Sequence, residues 1–343
     1  MLPGISMRTR GSGAPQSRRA VVRQAAYRAR TAADRVWVDT PSRDARSPLR
    51  EYDTVMIDSR QGFRESIDTI PEPQVLRVSA SQRRTWSRLA ELWDYRELLF
   101  FLAWRDVALR YRQTILGVAW ALLQPLLTTI VLSVFLGRLA GMPSDGVPYP
   151  LFFLVGILPW QLFSFALTNS ANSLVANERL LTRVYFPRIV VPVATVVPGL
   201  LDFCVGLALL VVVMIRYQVK PTMAVLALVP LVFLVLLLAI AAGIGLAALN
   251  VRYRDVRHTL PFLTQLWMFA TPIAYPSSVV PPEWRALMGF NPMAGAVEGF
   301  RWALLGSPCP TNMLLISSLV GCLGLVASIW YFLAVERTIA DII

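Results

Sequence analysis

Lysine and histidine are almost missing from this chain of 343 residues, and cysteine is scarce. Lys220 is the only lysine, so nearly all of the 33 basic residues are arginine. A P-loop needs Gly-Lys-Ser/Thr to hold nucleotide phosphates, and "YQVKPTM" around Lys220 does not supply it. The polypeptide is therefore expected to bind no nucleotide through a P-loop of its own. His258 stands alone, and Cys204, Cys309 and Cys322 are far apart in sequence. Clustered Cys/His metal sites and a disulfide framework are excluded on that spacing. Acidic residues are also few, 21 against 33 basic, which leaves a formal charge of +12.

What is abundant is apolar: 55% of the residues are hydrophobic. That fraction together with a strong positive charge fits a membrane protein with basic cytoplasmic segments. No nucleic-acid partner is expected. The chain divides near Trp86. Residues 1–85 are rich in Arg, Ser, Pro and Asp ("GSGAPQSRRAVVRQ", "DTPSRDARSPLR"). Such a composition buries too little apolar surface to offset chain entropy, so it reads as a disordered, Arg-rich cytoplasmic extension. It lacks the continuous apolar stretch of a signal peptide. It is either a dispensable tail or a basic arm on anionic lipid headgroups.

Residues 86–343 carry long apolar runs. About 20 such residues cross a bilayer, and six stretches qualify or nearly so: about 115–137, 150–169, 189–215, 223–250, 259–275 and 312–335. The expectation is an all-α integral membrane protein with six transmembrane helices. Arg179, Arg183 and Arg188 fall between spans two and three, and Arg252, Arg254 and Arg257 between four and five. These join the arginine-dense N-terminus on the cytoplasmic side by the positive-inside rule. Arg138, Arg216, Lys220, Arg285 and Arg301 are spread over the other side. An even number of spans places both termini in the cytoplasm.

"LAWRDVALRYRQTILGVAWALLQP" is charged in its first half and apolar in its second. A helix over 96–113 gathers Phe100, Trp104, Val107, Ala108 and Tyr111 on one face and Arg105, Asp106, Arg110, Arg112 and Gln113 on the other. Leu98, Leu102 and Leu109 project among the charges. This is the pattern of an amphipathic helix in the membrane interface, or of one packed on protein through those leucines. Its arginines would stand at headgroup height, gripping phosphate bidentately or only anchoring the helix. Asp202, near the middle of span three, must face the bundle interior or water, or be protonated. A structural hydrogen-bonding role is favoured for it, with Gln124 and Gln265 as available partners. Between spans five and six, "YPSSVVPPEWRALMGFNPMAGAVEGFRWALLG" is cut by prolines and glycines. Neither half is long enough to cross, so a short re-entrant helical hairpin is expected, or else a plain external loop. Asn291 is a natural cap with Pro292 in the first turn, and Glu298 can pair with Arg301 three residues on.

"ELWDYRELLFFLAWRDVALRYRQTILGVAWALLQP" resembles the start of the membrane (permease) subunit of ABC-2 type polysaccharide exporters, which move O-antigen, capsule or related lipid-linked glycans. "FNPMAGAVEGFRWALLG", "LTRVYFPRIVVP" and "VERTIADII" fit the same pattern in order, so the likeness runs from about Glu91 to Ile343. The resemblance implies a homodimer in the bacterial inner membrane, working with two copies of a separate nucleotide-binding ATPase that holds the ATP and Mg. No cofactor is expected in this chain, and no catalytic residue. The loop "NSLVANERLLTRVYFPR" would couple to the ATPase through Glu178, Arg179 and Arg183, or would only set topology. The substrate's pyrophosphate would engage Arg105, Arg110 or Arg112. The hairpin, with Asn291, Glu298 and Arg301, would line the channel exit on the extracytoplasmic side. A glycan path also calls for aromatic lining, for which Trp120, Trp160, Phe163, Trp267, Phe269 and Tyr275 are candidates, although intramembrane aromatics commonly face lipid. An ABC-2 exporter of a small molecule or lipid is the alternative. A membrane glycosyltransferase or ligase would need an acidic or Arg/His cluster in a large polar loop, which no loop here supplies.

Overall fold

The computed structural model describes residues 93–112, 118–184, 186–220, 222–253 and 255–342. The extension expected over 1–85 lies outside the described residues, as does Arg254. The described residues are helical, with no strand among them. The chain enters through α1 (Arg96–Arg112) and rises in α2 (Val118–Leu132), which continues as a π-helical segment over Ser133–Leu139. It returns in α3 (Tyr149–Ala176). Two short helices follow, α4 (Glu178–Arg183) and α5 (Val190–Ala194), then α6 (Val197–Arg216) and α7 (Leu228–Arg252). Next come α8 (Asp255–Ala270), α9 (Pro282–Gly289), α10 (Pro292–Leu305) and α11 (Thr311–Ile342).

Five helical segments are long and apolar enough to cross a membrane: Ala119–Leu139, Tyr149–Ala176, Val190–Arg216, Met223–Arg252 and Thr311–Glu336. The chain is a multi-pass membrane protein. Four of the expected apolar stretches match these segments within a few residues, and α3 runs on past its expected end at 169. The stretch expected at 259–275 is different. Its helix, α8, has 16 residues, about 24 Å at 1.5 Å per residue and short of a hydrocarbon core of about 30 Å. The chain turns at Thr271–Tyr275 because the carbonyls of Ile273, Ala274 and Tyr275 are all claimed by side chains, from Arg301 and Tyr149.

α3 is the axis of the fold. Among its residues Leu151, Phe153, Leu154, Phe163 and Leu167 are buried, and it packs against α6, α7 and α10. α10 also lies inside, against α3, α7 and α11, with Met293, Ala296, Val297 and Phe300 sealed from solvent. Two short helices, α9 and α10, stand here in place of a plain external loop, and the second of them is a core helix. Its run of Ala and Gly allows the close approach that places it there. A second apolar cluster ties α1 to the rest through Leu98, Leu102 and Ala103, which meet Leu174, Leu181 and Val190. Leu98 and Leu102, set among the charges, thus belong to the packing face of α1, while Phe100, Trp104 and Leu109 point outward.

Candidate functional site: a polar cleft beside the central helix

α3 is largely buried, yet one stripe of it is open and polar. Gln161, Ser164, Thr168, Asn169 and Asn172 recur at spacings of three and four, which lines them up on one helix face. All five are partly exposed, and the first four face a cavity of 430 Å³. α2 contributes Gln124 and Thr128, one turn apart, to the opposite wall. Arg110 and Asp202 close the cleft from α1 and α6.

Arg110 and Asp202 form an ion pair through Nη2 and Oδ2, and the Tyr111 hydroxyl donates to Oδ1 of the same carboxylate. The guanidinium also lies over the Phe165 ring, 4.5 Å from its centroid. Gly199 allows this arrangement: a Cβ there would meet Phe165 at 2.4 Å. Burial first, and then the carboxylate of Asp202, push the Tyr111 phenol up to about 12. It keeps its proton through the physiological range and remains a donor. Asp202 therefore faces the bundle interior, as its depth requires. Its partners are Arg110 and Tyr111, while the amides considered for that role lie elsewhere: Gln124 is a neighbour in the cleft and Gln265 is outside it. The pair spans 92 residues of sequence, so no local spacing reveals it.

The three arginines of α1 expected to meet phosphate, Arg105, Arg110 and Arg112, are not equivalent. Arg105 donates to Asp106 at 2.8 Å and to the Asn177 side-chain oxygen at 2.7 Å. Arg110 lies beside Phe165, about 17 Å along α3 from its last residue, Ala176. Arg112 is exposed. A single row at one height, as the sequence suggested, is replaced by positions spread along α3, and Arg105 and Arg110 already have carboxylate partners.

The remaining expected positions separate in the same way. Glu178, Arg179 and Arg183 of α4 lie on the outer side of that helix, Arg179 and Arg183 open to solvent, while Leu181 on the same turn is buried. Trp120 and Phe269 are exposed on α2 and α8. Phe163 and Trp160 are buried and pack with Trp267, whose centroid lies 5.0 Å and 6.3 Å from theirs. Trp160 also borders the cleft between α2 and α3, while Phe163 is sealed behind the indoles. Asn291 caps α10, its Oδ1 accepting from Met293 N at 3.1 Å and from Trp267 Nε1 at 2.9 Å. Arg301 is only 2% exposed and pairs with Glu298 at 2.9 Å. Its Nη2 donates to the Ile273 carbonyl at 2.9 Å, and its Cζ sits 3.8 Å from the Phe152 ring centroid. Tyr275 is half-buried in the turn that Arg301 holds. Asn291, Glu298 and Arg301 thus brace the turn after α8, and Glu298 and Arg301 also border a second cavity, of 640 Å³, with Asp145, Ser277 and Ser278.

Residues 97–305 match the model of a protein family described as ABC-2 type transporter. The chain belongs to the ABC-2 type transporter family. The match begins in α1 and ends with α10, so it takes in every wall of the cleft in this transporter chain. Among curated relatives it is similar to an O-antigen export system permease protein, RfbA, of Myxococcus xanthus. The two are 36% identical over 214 residues, 62% of this chain and 81% of the relative. The protein of the same description from Klebsiella pneumoniae is 28% identical over 206 residues, 60% of this chain and 79% of the relative. The polysialic acid transport protein KpsM of Escherichia coli is 26% identical over 206 residues, 59% of this chain and 78% of the relative. The polar stripe was missed by reading the sequence, although its signal was there: five hydrogen-bonding residues at helical spacing inside an otherwise apolar span.

Proposed function

We propose that this chain is the membrane subunit of an ATP-driven exporter that carries a lipid-linked polysaccharide across the bacterial inner membrane. ATP and Mg are held by a separate ATPase subunit, and two copies of each chain make the transporter. The observation that carries this reading is the similarity to O-antigen export permeases over most of their length. The cleft supports it, because a path for sugar needs hydrogen-bonding side chains inside an apolar bundle.

In this reading α8 completes a sixth crossing with the turn that follows it, and both termini are cytoplasmic. α1 lies along the cytoplasmic interface with Phe100 and Trp104 toward the acyl chains. The outward charges of α4 dock the ATPase, and the buried Leu181 ties that contact to the bundle. Arg112, exposed at the end of α1, is the first contact for the substrate's pyrophosphate. Arg105 joins it by exchanging Asp106 for phosphate. Trp120 and Phe269 border the path between the two subunits.

Deletion of the gene in the source bacterium tests this directly. Surface polysaccharide should vanish, lipid-linked glycan should accumulate inside, and the intact gene should restore export. Normal surface polysaccharide after deletion, with no lipid-linked intermediate retained, overturns the reading.

A further inference from the structure

The cleft has a chemical preference of its own. Among its described lining residues the only ionised side chains are Arg110 and Asp202, and they face each other as a pair. The cleft therefore presents no net charge to whatever enters it. The neutral groups both donate and accept. The Thr128 hydroxyl donates to the Gln124 carbonyl at 2.8 Å, and the Asn169 amide donates to the Phe165 carbonyl at 2.8 Å. Those bonds leave the Thr128 oxygen and the Asn169 side-chain carbonyl able to accept, while the second Asn169 N–H and the Gln124 and Gln161 amides can donate. Such a wall matches the donor-and-acceptor pattern of sugar hydroxyls, and it offers an entering carboxylate no unpaired cation in return for its lost water. The volume, 430 Å³, falls in the range of small-ligand sites, about 300–1,000 Å³.

We infer that the cleft takes an uncharged, hydroxyl-rich chain and disfavours a polyanionic one, and that Asp202 sets this preference by neutralising Arg110. This rests on the exporter reading above and specifies the substrate class for it. An entering carboxylate meets a guanidinium whose charge is already paired with Asp202 and which lies over the Phe165 ring. It must also approach the Asp202 carboxylate, and like charges repel strongly in a site of reduced dielectric.

The experiment uses the full chain in lipid nanodiscs and two probes on the same undecaprenyl-pyrophosphate carrier. One is a neutral oligomannose, the other an oligomer of equal length with alternating glucuronic acid. Binding is followed by quenching of tryptophan fluorescence. The wild type is expected to bind the neutral probe about tenfold more tightly, and Asp202→Asn to cut that ratio about tenfold by uncovering the Arg110 charge. Arg110→Gln leaves the carboxylate alone and should move the ratio the other way. The double variant Arg110→Gln/Asp202→Asn should return to a neutral preference. Equal binding of both probes by the wild type overturns the inference while leaving the exporter reading standing, and so does a ratio that neither single variant moves. Failure to bind either probe counts against the exporter reading itself and removes the inference with it. If Asp202→Asn folds poorly, Arg110→Gln decides the same point from the opposite side.

Discussion

Two of the arginine–carboxylate pairs among the described residues, Arg301–Glu298 and Arg110–Asp202, do opposite things. Arg301–Glu298 joins neighbours three apart on one helix, with side chains 2% and 12% exposed. Arg110–Asp202 joins two helices across 92 residues, with side chains 35% and 20% exposed. Around Arg301 the carbonyls of Ile273 and Tyr275 and the ring of Phe152 take up the guanidinium, and the Tyr149 hydroxyl holds Ala274 at 2.7 Å. Both pairs border cavities, of 640 Å³ beside Arg301 and 430 Å³ beside Arg110, but the Arg301 side chain is 2% exposed and that of Arg110 35%. Charge inside a membrane protein marks function only where something else can reach it. Arg301 is enclosed and acts as a brace. Arg110 is reachable, and its charge can be read by a ligand.

The sharpest way to break this contrast is to remove the brace. Arg301→Met should leave the Glu298 carboxylate buried without its cation and strip the Ile273 and Tyr275 carbonyls of their donor. Losing one partner of a buried pair costs about 3–5 kcal/mol. The purified chain should melt far below the wild type in detergent, or fail to accumulate in the membrane. A Met variant that melts within a few degrees of the wild type would show that the turn after α8 is held by other means, and would dissolve the contrast.

The second expectation concerns the open pair. Arg110→Gln should lower stability by only about 1 kcal/mol, since part-exposed partners are resolvated by water when the pair is broken. Thermal unfolding in detergent, followed by tryptophan fluorescence, compares it with Arg301→Met on one scale. If the two variants lost equal stability, Arg110 would also be a brace, and the cleft would lose its distinguishing feature.

The same contrast separates what could be read in the sequence from what could not. The local pair was legible: Glu298 and Arg301 lie three apart, and Asn291-Pro292 announces the start of α10, where Asn291 caps as its position predicts. The five crossing segments followed from length and hydropathy, apart from the far end of α3, because bilayer thickness fixes both. The Arg110–Asp202 pair could not be read, since it depends on α1 lying along α3 and α6, and no periodicity encodes a contact between distant segments. The burial of α10 could not be read for a related reason. Its apolar length shows only that it is too short to cross. Burial there comes instead from the Ala and Gly faces that admit α3, α7 and α11: a Cβ on Gly295 would meet the Ser317 hydroxyl at 2.2 Å. The stripe on α3 was legible in principle. Attention to aromatics as glycan linings did find Trp160, which borders the cleft, but drew the reading away from the amides and hydroxyls beside it.

The smallest effect on stability belongs to a third kind of charge, the one turned outward. On α4, Glu178, Arg179 and Arg183 surround a buried Leu181 from the outer side. Reversing one of them breaks no internal bond that holds the bundle, so Arg183→Glu should change stability by less than about 0.5 kcal/mol. The consequence should appear only in assembly. With the partner ATPase co-expressed, the variant is expected to reach the membrane at wild-type levels, melt at the same temperature, and lose the ATPase on purification. α4 follows α3 after a single residue, Asn177, whose side-chain oxygen accepts from Arg105. A force on α4 therefore has a short path to both α1 and the helix that carries the polar stripe. If Arg183→Glu and Glu178→Lys each retained the ATPase in full, the outward charges would serve only to orient the chain in the bilayer, and the energy would have to enter by another surface.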